Sequence, residues 1–347
     1  MFTRRQWAVG GMLLVCAAPA LGRALDHGDI VYSRDDAGTG PNNAVYKLAG
    51  GTGDPIVVSQ PGVRGSGPDF GSLIGGMAVD SDYQILLLGF DRGALFRIDP
   101  ATGDRTILSG QGVGSGPELE GANDLGVSRN HDRIFVAAGT AHSIIEVDGR
   151  SGNRTLVSGP GRGSGPTLEH PVGLTSTHSG DFYAFDADTE AVFFVDGKSG
   201  DRRIVSGAGR GSGPEFSGAG SDVVLLHDGT LAVSDHEERL LRVDPKTGAR
   251  SLLTGGGVGT GPNPDFMEFV TLNADGTLLA TSATDGLIRV DPRTGDRSWV
   301  VGSEDAWVSG GVFREGIQAN PEPSAIGLAA IASLAVLRRP KHRREQI

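Results

Sequence analysis

The apolar positions of this 347-residue chain fall in short runs separated by Gly-rich polar stretches, and the order of the runs repeats. From Leu125 to Gly159 the chain reads as the run LGVS, the polar turn RNHD, the run RIFVAA, the connection GTAH, the run SIIEVD, the turn GRSGN and the run RTLVSG. Runs of this length bounded by turn residues predict strands, and the short links predict an antiparallel meander with four strands per unit. The first turn recurs at 80–82, 130–132, 178–181, 227–229 and 273–276. Asp228-Gly229 and Asp275-Gly276 within it are strong hairpin signals, because Asp and Gly accept left-handed backbone.

The unit returns with a period near 48. IDPATGDRTILSG, from Ile98 to Gly110, reappears as VDGRSGNRTLVSG, VDGKSGDRRIVSG, VDPKTGARSLLTG and VDPRTGDRSWVVG, with its Asp at Asp99, Asp148, Asp196, Asp244 and Asp291. Such a period, filled with short strands, predicts propeller blades. Asp29 to Gln60 (DIVYSRDD, AVYKLAG, PIVVSQ) supplies the second, third and fourth strands of a further unit. Ser309 to Glu315 (SGGVFRE) is the expected source of its first strand. The expectation is an all-β, six-bladed β-propeller over residues 28–318, with four-stranded blades, closed by pairing of N- and C-terminal strands so that no open edge remains.

A second motif, G-[ST]-G-P, ends at Pro68, Pro117, Pro166, Pro214 and Pro262, between one blade and the next. These connections are longer than compact folds usually need. They are expected either to form a repeated binding surface or to let the following Phe70, Leu119, Leu168, Phe216 and Phe266 plug the gaps between blades.

Composition sharpens this picture. Gly occurs 56 times, as turn-dense β structure requires. The formal net charge is −11, and both chain ends are basic, so the body between them is more acidic still. An acidic body repels nucleic acid and anionic lipid, and points to divalent cations or basic partners. Cys16 is the single cysteine and lies in the N-terminal apolar run, so the body has no disulfide to rely on.

The ends read as addresses. Residues 1–24 have a basic start, an apolar stretch from Trp7 to Ala18, and small Ala18 and Ala20, the pattern of a secretory signal. Residues 319–347 carry Pro321-Glu322-Pro323, the apolar run Ala325 to Leu337, and then Arg338, Arg339, Lys341, Arg343 and Arg344. This order resembles a PEP-CTERM sorting signal. The resemblance implies export, transient anchoring in the inner membrane, processing by an exosortase-type enzyme that reads Pro321, Glu322 and Pro323, and final residence in the envelope or outside the cell. The arginines would hold the positive-inside end. Thirteen apolar residues at 1.5 Å rise fall short of the ~30 Å hydrocarbon core, which suits a temporary anchor.

The body itself resembles NHL-like and gluconolactonase-like six-bladed propellers. His170-Pro171-Val172-Gly173-Leu174, followed by a turn, FYAFD and VFFVD, follows the NHL order of Pro-x-Gly, strand, Asp, strand. In such folds sites gather where the inner strands begin, which here places Asn123, Asp124, His170, Asp222 and Glu268 at the channel mouth. Oxygen ligands converging there suit Ca²⁺ or another divalent cation. No nucleophile elbow or H-E-x-x-H spacing occurs. The leading expectation is therefore a non-enzymatic module for a protein, glycan or small-molecule ligand. The alternative is a metal-dependent lactonase- or esterase-like hydrolase, which requires Asn123, His170, Asp222 and Glu268 to face one another.

Overall fold

The computed structural model describes residues 25–26, 28–34, 43–128, 133–217, 222–235, 238–264, 267–273, 275–282, 286–302 and 317–319. Among them, strands form six four-stranded sheets in which every pairing is antiparallel, a six-bladed β-propeller. Blade 1 is composite: β1 (Ile30–Arg34), β2 (Ala44–Leu48) and β3 (Ile56–Ser59) are completed by β24 (Ile317–Ala319). Blade 2 holds β4 (Ile74–Val79), β5 (Ile85–Gly89), β6 (Ala94–Ile98) and β7 (Arg105–Gly110). Blade 3 holds β8 (Ala122–Val127), β9 (Ile134–Ala138), β10 (Ser143–Val147) and β11 (Arg154–Ser158). Blade 4 holds β12 (Pro171–Ser176), β13 (Phe182–Asp186), β14 (Ala191–Val195) and β15 (Arg202–Gly207). Blade 5 holds β16 (Val223–Leu225), β17 (Leu231–Asp235), β18 (Arg239–Val243) and β19 (Arg250–Thr254). Blade 6 holds β20 (Met267–Leu272), β21 (Leu278–Ser282), β22 (Gly286–Val290) and β23 (Arg297–Gly302).

The ring is closed by β24 against β1, with Ile30 opposite Ala319 and Tyr32 opposite Ile317. The segment expected to do this, Ser309 to Glu315, lies outside the described residues, and the closing strand is Ile317–Ala319 instead. The repeat itself explains the difference. Inner strands of blades 3, 4 and 6 begin 23 residues after the preceding repeat Asp, and β24 begins 26 after Asp291. A start at Ser309 would leave a shorter connection after β23 than follows any other outer strand of the ring. Residues 1–24 and 320–347, with Cys16 and the sorting motif, also lie outside the described residues.

Second strands such as β5 and β9 are buried along their whole length, because a neighbouring blade covers each face. They therefore read as continuous apolar runs, while outer strands such as β11 and β19 are exposed at their second position and buried at their ends. Apolar cores sit between blades; Phe70, Phe96 and Ile85 pack with Val31, Val45 and Val58 of blade 1, for example. In every blade the register shifts between the third and fourth strands, as at Ile144/Ile145. Such bulges twist the outer strand away from the sheet plane.

The repeated Asp closes the turn between third and fourth strands. Asp148 Oδ1 accepts from the amides of Arg150 and Ser151 at 3.0 and 2.7 Å, and Asp196 does the same with Lys198 and Ser199. The Arg that follows each turn carries a latch to the preceding blade. Arg105 Nη1 donates to Ser59 Oγ at 2.8 Å and to Arg64 O at 3.0 Å, and Nε donates to Pro68 O at 2.8 Å. Ser59 Oγ in turn donates to Gly103 O at 2.6 Å. The same set recurs with Ser109 and Arg154, Ser158 and Arg202, Ser206 and Arg250, and Thr254 and Arg297.

The G-[ST]-G-P loops are thus the receptor of the latch. A Cβ on Gly114 (φ +70°) would lie 1.9 Å from Gly152 O, so only glycine fits there. Phe70, Leu119, Leu168 and Phe216 are buried beside the latch, and the Arg105 and Arg250 guanidiniums lie over the rings of Phe70 and Phe216. Of the two readings of these loops, the plug is the one the structure bears out; Phe266 lies outside the described residues.

Candidate functional site in the central channel

The innermost strands of the blades line the channel, and one of them, β8, begins earlier than its apolar run suggests. Ala122–Val127 takes in Asn123 and Asp124, so a carboxylate sits within the strand. Residues on this strand face the axis as well as a blade core, which is why a polar residue interrupts the apolar pattern.

Asp124 and Asp222 are both buried, with 5% and 8% of their surface exposed, and both line one cavity of about 230 Å³. Asp124 Oδ1 accepts from Leu125 N at 2.7 Å, and Oδ2 accepts from Leu174 N of blade 4 at 2.9 Å. Asp222 repeats the arrangement, with Val223 N at 2.7 Å and Val270 N of blade 6 at 3.0 Å. Each acid therefore ties its own inner strand to that of the next blade. The two carboxyl groups also come within hydrogen-bonding reach of one another. Burial is the main cause that pushes both upward: Asp124 well above the ordinary carboxylate range, where the Asp222 charge adds to it, and Asp222 to about 7. A shared proton is the arrangement that lets two such acids stay in contact. Gly76 leaves room for the pair, since a Cβ there would lie 2.1 Å from Asp124 Oδ1.

The cavity extends from this pair toward the C-terminal ends of the inner strands, past Ser128, Thr175, Phe269 and Leu272. The other expected site residues stand elsewhere. Asn123 Nδ2 lies 3.4 Å from His170 Nε2 and donates to Gly121 O at 3.2 Å. The His170 ring is 3.9 Å from Asp188, and the backbone amides of Glu169 and His170 donate to Asp186 Oδ2. Glu268 is half-buried, and its carbonyl accepts from the Ser234 hydroxyl, which also accepts from Asp222 N at 2.8 Å. The five residues thus separate into an Asn123–His170 pair, an Asp124–Asp222 pair, and Glu268 linked to Asp222 through Ser234.

This geometry does not fit a resident divalent cation. Among the described residues, no three His, Cys, Asp or Glu side chains come together to hold a metal ion. All four oxygens of the central acids already accept backbone amides. Asp91 and Asp186 likewise cap turns: Asp91 takes Ser72 N at 3.0 Å, and Asp186 takes Thr189 N at 3.1 Å. What sequence reasoning missed is the Arg latch, although its Arg stands in every repeat from Arg105 to Arg297.

No protein-family model matches the chain. No curated protein sequence matches it either. Solved structures do share its fold. A chain of the nidogen/laminin complex is 14% identical, with 84% of this chain and 99% of that chain covered and a TM-score of 0.63. A protein of unknown function from Bacteroides thetaiotaomicron is 12% identical, with 78% of each chain covered and a TM-score of 0.54. A gluconolactonase from Xanthomonas campestris is 14% identical, with 66% of this chain and 74% of that chain covered and a TM-score of 0.50. At these identities the likeness establishes the propeller fold alone.

Proposed function

We propose that this chain is an exported β-propeller, sorted to the cell envelope or beyond it, that acts as a non-enzymatic module binding a protein, glycan or small-molecule ligand. One observation carries the choice of a binding module over a hydrolase. The two acids at the centre of the channel are engaged at every oxygen by backbone amides, one from each acid's own strand and one from the next blade. A general base or metal ligand needs a lone pair aimed at substrate or cation, and these carboxylates direct theirs at the ring.

The export reading rests on the residue order at the two ends: Arg4 and Arg5 before the apolar stretch, and Pro321, Glu322, Pro323, the apolar run, Arg338 and Arg339 after the body. It makes the exosortase-type enzyme a transient partner, and membrane anchoring a stage of maturation.

Two experiments test the proposal. Purified protein is screened for thermal shifts against glycans and small molecules, and in parallel for hydrolysis of lactones and esters with Ca²⁺, Mg²⁺ or Zn²⁺. Ligand-induced shifts without turnover are expected; metal-dependent hydrolysis abolished in Asp222→Ala would establish the lactonase alternative. Mass spectrometry of cell fractions should find an envelope or extracellular species lacking residues 1–24 and the tail beyond about residue 320. A cytosolic species with both ends intact would contradict export.

A further inference from the structure

Five of the six junctions between blades carry the same latch, in which a Ser or Thr hydroxyl near the end of one outer strand is clasped by the Arg that opens the next. Ser59, Ser109, Ser158, Ser206 and Thr254 supply the hydroxyls, and Arg105, Arg154, Arg202, Arg250 and Arg297 the guanidiniums. The hydroxyls are fully buried, and Arg105, Arg154 and Arg250 are nearly so. Each guanidinium also donates to the proline carbonyl of its G-[ST]-G-P loop, as at Pro68 and Pro166.

At the sixth junction, from blade 6 back to blade 1, both halves are replaced. By register, Val301 opposite Leu287 stands where Thr254 stands opposite Leu240, and a valine has no hydroxyl to offer. Thr52-Gly53-Asp54-Pro55 aligns with Thr102-Gly103-Asp104-Arg105, so Pro55 stands where the Arg should be. Residues 303–316 contain no proline, and so no G-[ST]-G-P sequence. Burial follows the same division: Leu253 and Thr254 are 4% and 0% exposed, whereas Val300 and Val301 are half-buried and Trp299 is 37% exposed. Among the described residues, β24 pairs with β1 at three positions.

We infer that the propeller has a built-in opening point at the junction between blades 6 and 1, and that the ring separates there before any latched junction yields. The physical cause is the missing buried guanidinium network. A charged donor bound to several backbone acceptors is worth more than neutral contacts, and this junction lacks the one that the other five carry. Opening would free the face formed by Ile30, Tyr32, Leu48, Leu279 and Leu287.

Native-state hydrogen exchange on the full chain, at low denaturant, tests this. Amides of β1 and β2 should exchange at least about tenfold faster than those of β9 and β13, through a subglobal opening. Ordinary fraying of a terminal blade is distinguished by Arg154→Gln and by the milder Ser109→Ala, which unlatch the junction between blades 2 and 3. Both should lower protection in β7 and β11, far from either terminus. Uniform protection of β1, β2, β9 and β13 in the unmodified chain would overturn the inference. Unchanged protection of β7 and β11 in both variants would overturn it as well.

Discussion

At the residue scale, the central pair sets a pH dependence whose sign can be worked out. Asp124 and Asp222 are held above the ordinary carboxylate range in the folded state, mainly by burial. The folded ring therefore binds more protons than the unfolded chain above about pH 4, and its stability falls as pH rises through about 7. The loss is on the order of 1–4 kcal/mol, since each tenfold difference in proton affinity between the folded and unfolded chain is worth about 1.4 kcal/mol. Asp222→Asn removes the titrating carboxyl and keeps one of its two acceptors, so it lowers the overall stability by facing an NH2 against one backbone amide, but it takes away the pH dependence. Chemical denaturation between pH 4 and 8 should show the decline in the unmodified protein and a flatter profile in Asp222→Asn; identical profiles would remove the shared proton from the account. The turn aspartates Asp148, Asp196 and Asp244 act in the opposite sense, since amide and hydroxyl donors hold them below the usual range. Their contribution is lost as the medium becomes acidic, below that window. Asn123-Asp124 and Asp222 stand out in the sequence as polar residues ahead of apolar runs. Their contact does not, because residues far apart along the chain meet only when the ring closes.

At the scale of elements, the latch and the outer-strand bulge explain why five of the six outer strands open with Arg and a polar residue, continue with two or three apolar residues, and in four of the five then carry Ser or Thr. Removing one latch should be costly wherever it lies. Arg154→Ala leaves Pro117 O without its donor, and Val113 O with only the Gly110 amide, and should lower stability by about 2–3 kcal/mol. Arg154→Lys should recover little of it, since one ammonium cannot replace a fork that reaches four acceptors. Thermal melts of the two variants compare them directly, and a lysine variant equal to the unmodified protein would reduce the latch to a charge effect. The strands are the most legible part of the chain: β9, β10 and β11 follow the runs RIFVAA, SIIEVD and RTLVSG almost residue for residue. Turn chemistry marks both ends of each. The channel strands are less legible, because β8 carries polar residues at the axis and β16 follows one, so neither shows an uninterrupted apolar run of full length. The latch is hidden for another reason: periodicity shows that an Arg repeats, but not that its partner lies on the preceding blade.

At the scale of the whole molecule, the ring is closed by β24. Deleting residues 321–347 should leave the melting temperature within a degree or two of the full chain. Deleting residues 317–347 removes the inner strand of blade 1 and should lower it by several degrees, on the scale of about 2–4 °C per kcal/mol for a domain of this size. Equal melts for the two deletions would contradict closure by Ile317–Ala319. The account's central claim is that the channel acids hold the ring and are not the ligands of a catalytic metal. It is tested most directly by calorimetric titration of Ca²⁺ into metal-stripped protein, with Mg²⁺ and Zn²⁺ alongside and Asp222→Ala as the comparison. The account predicts no stoichiometric site. One-to-one binding that disappears in Asp222→Ala would contradict it and turn the channel into a metal centre.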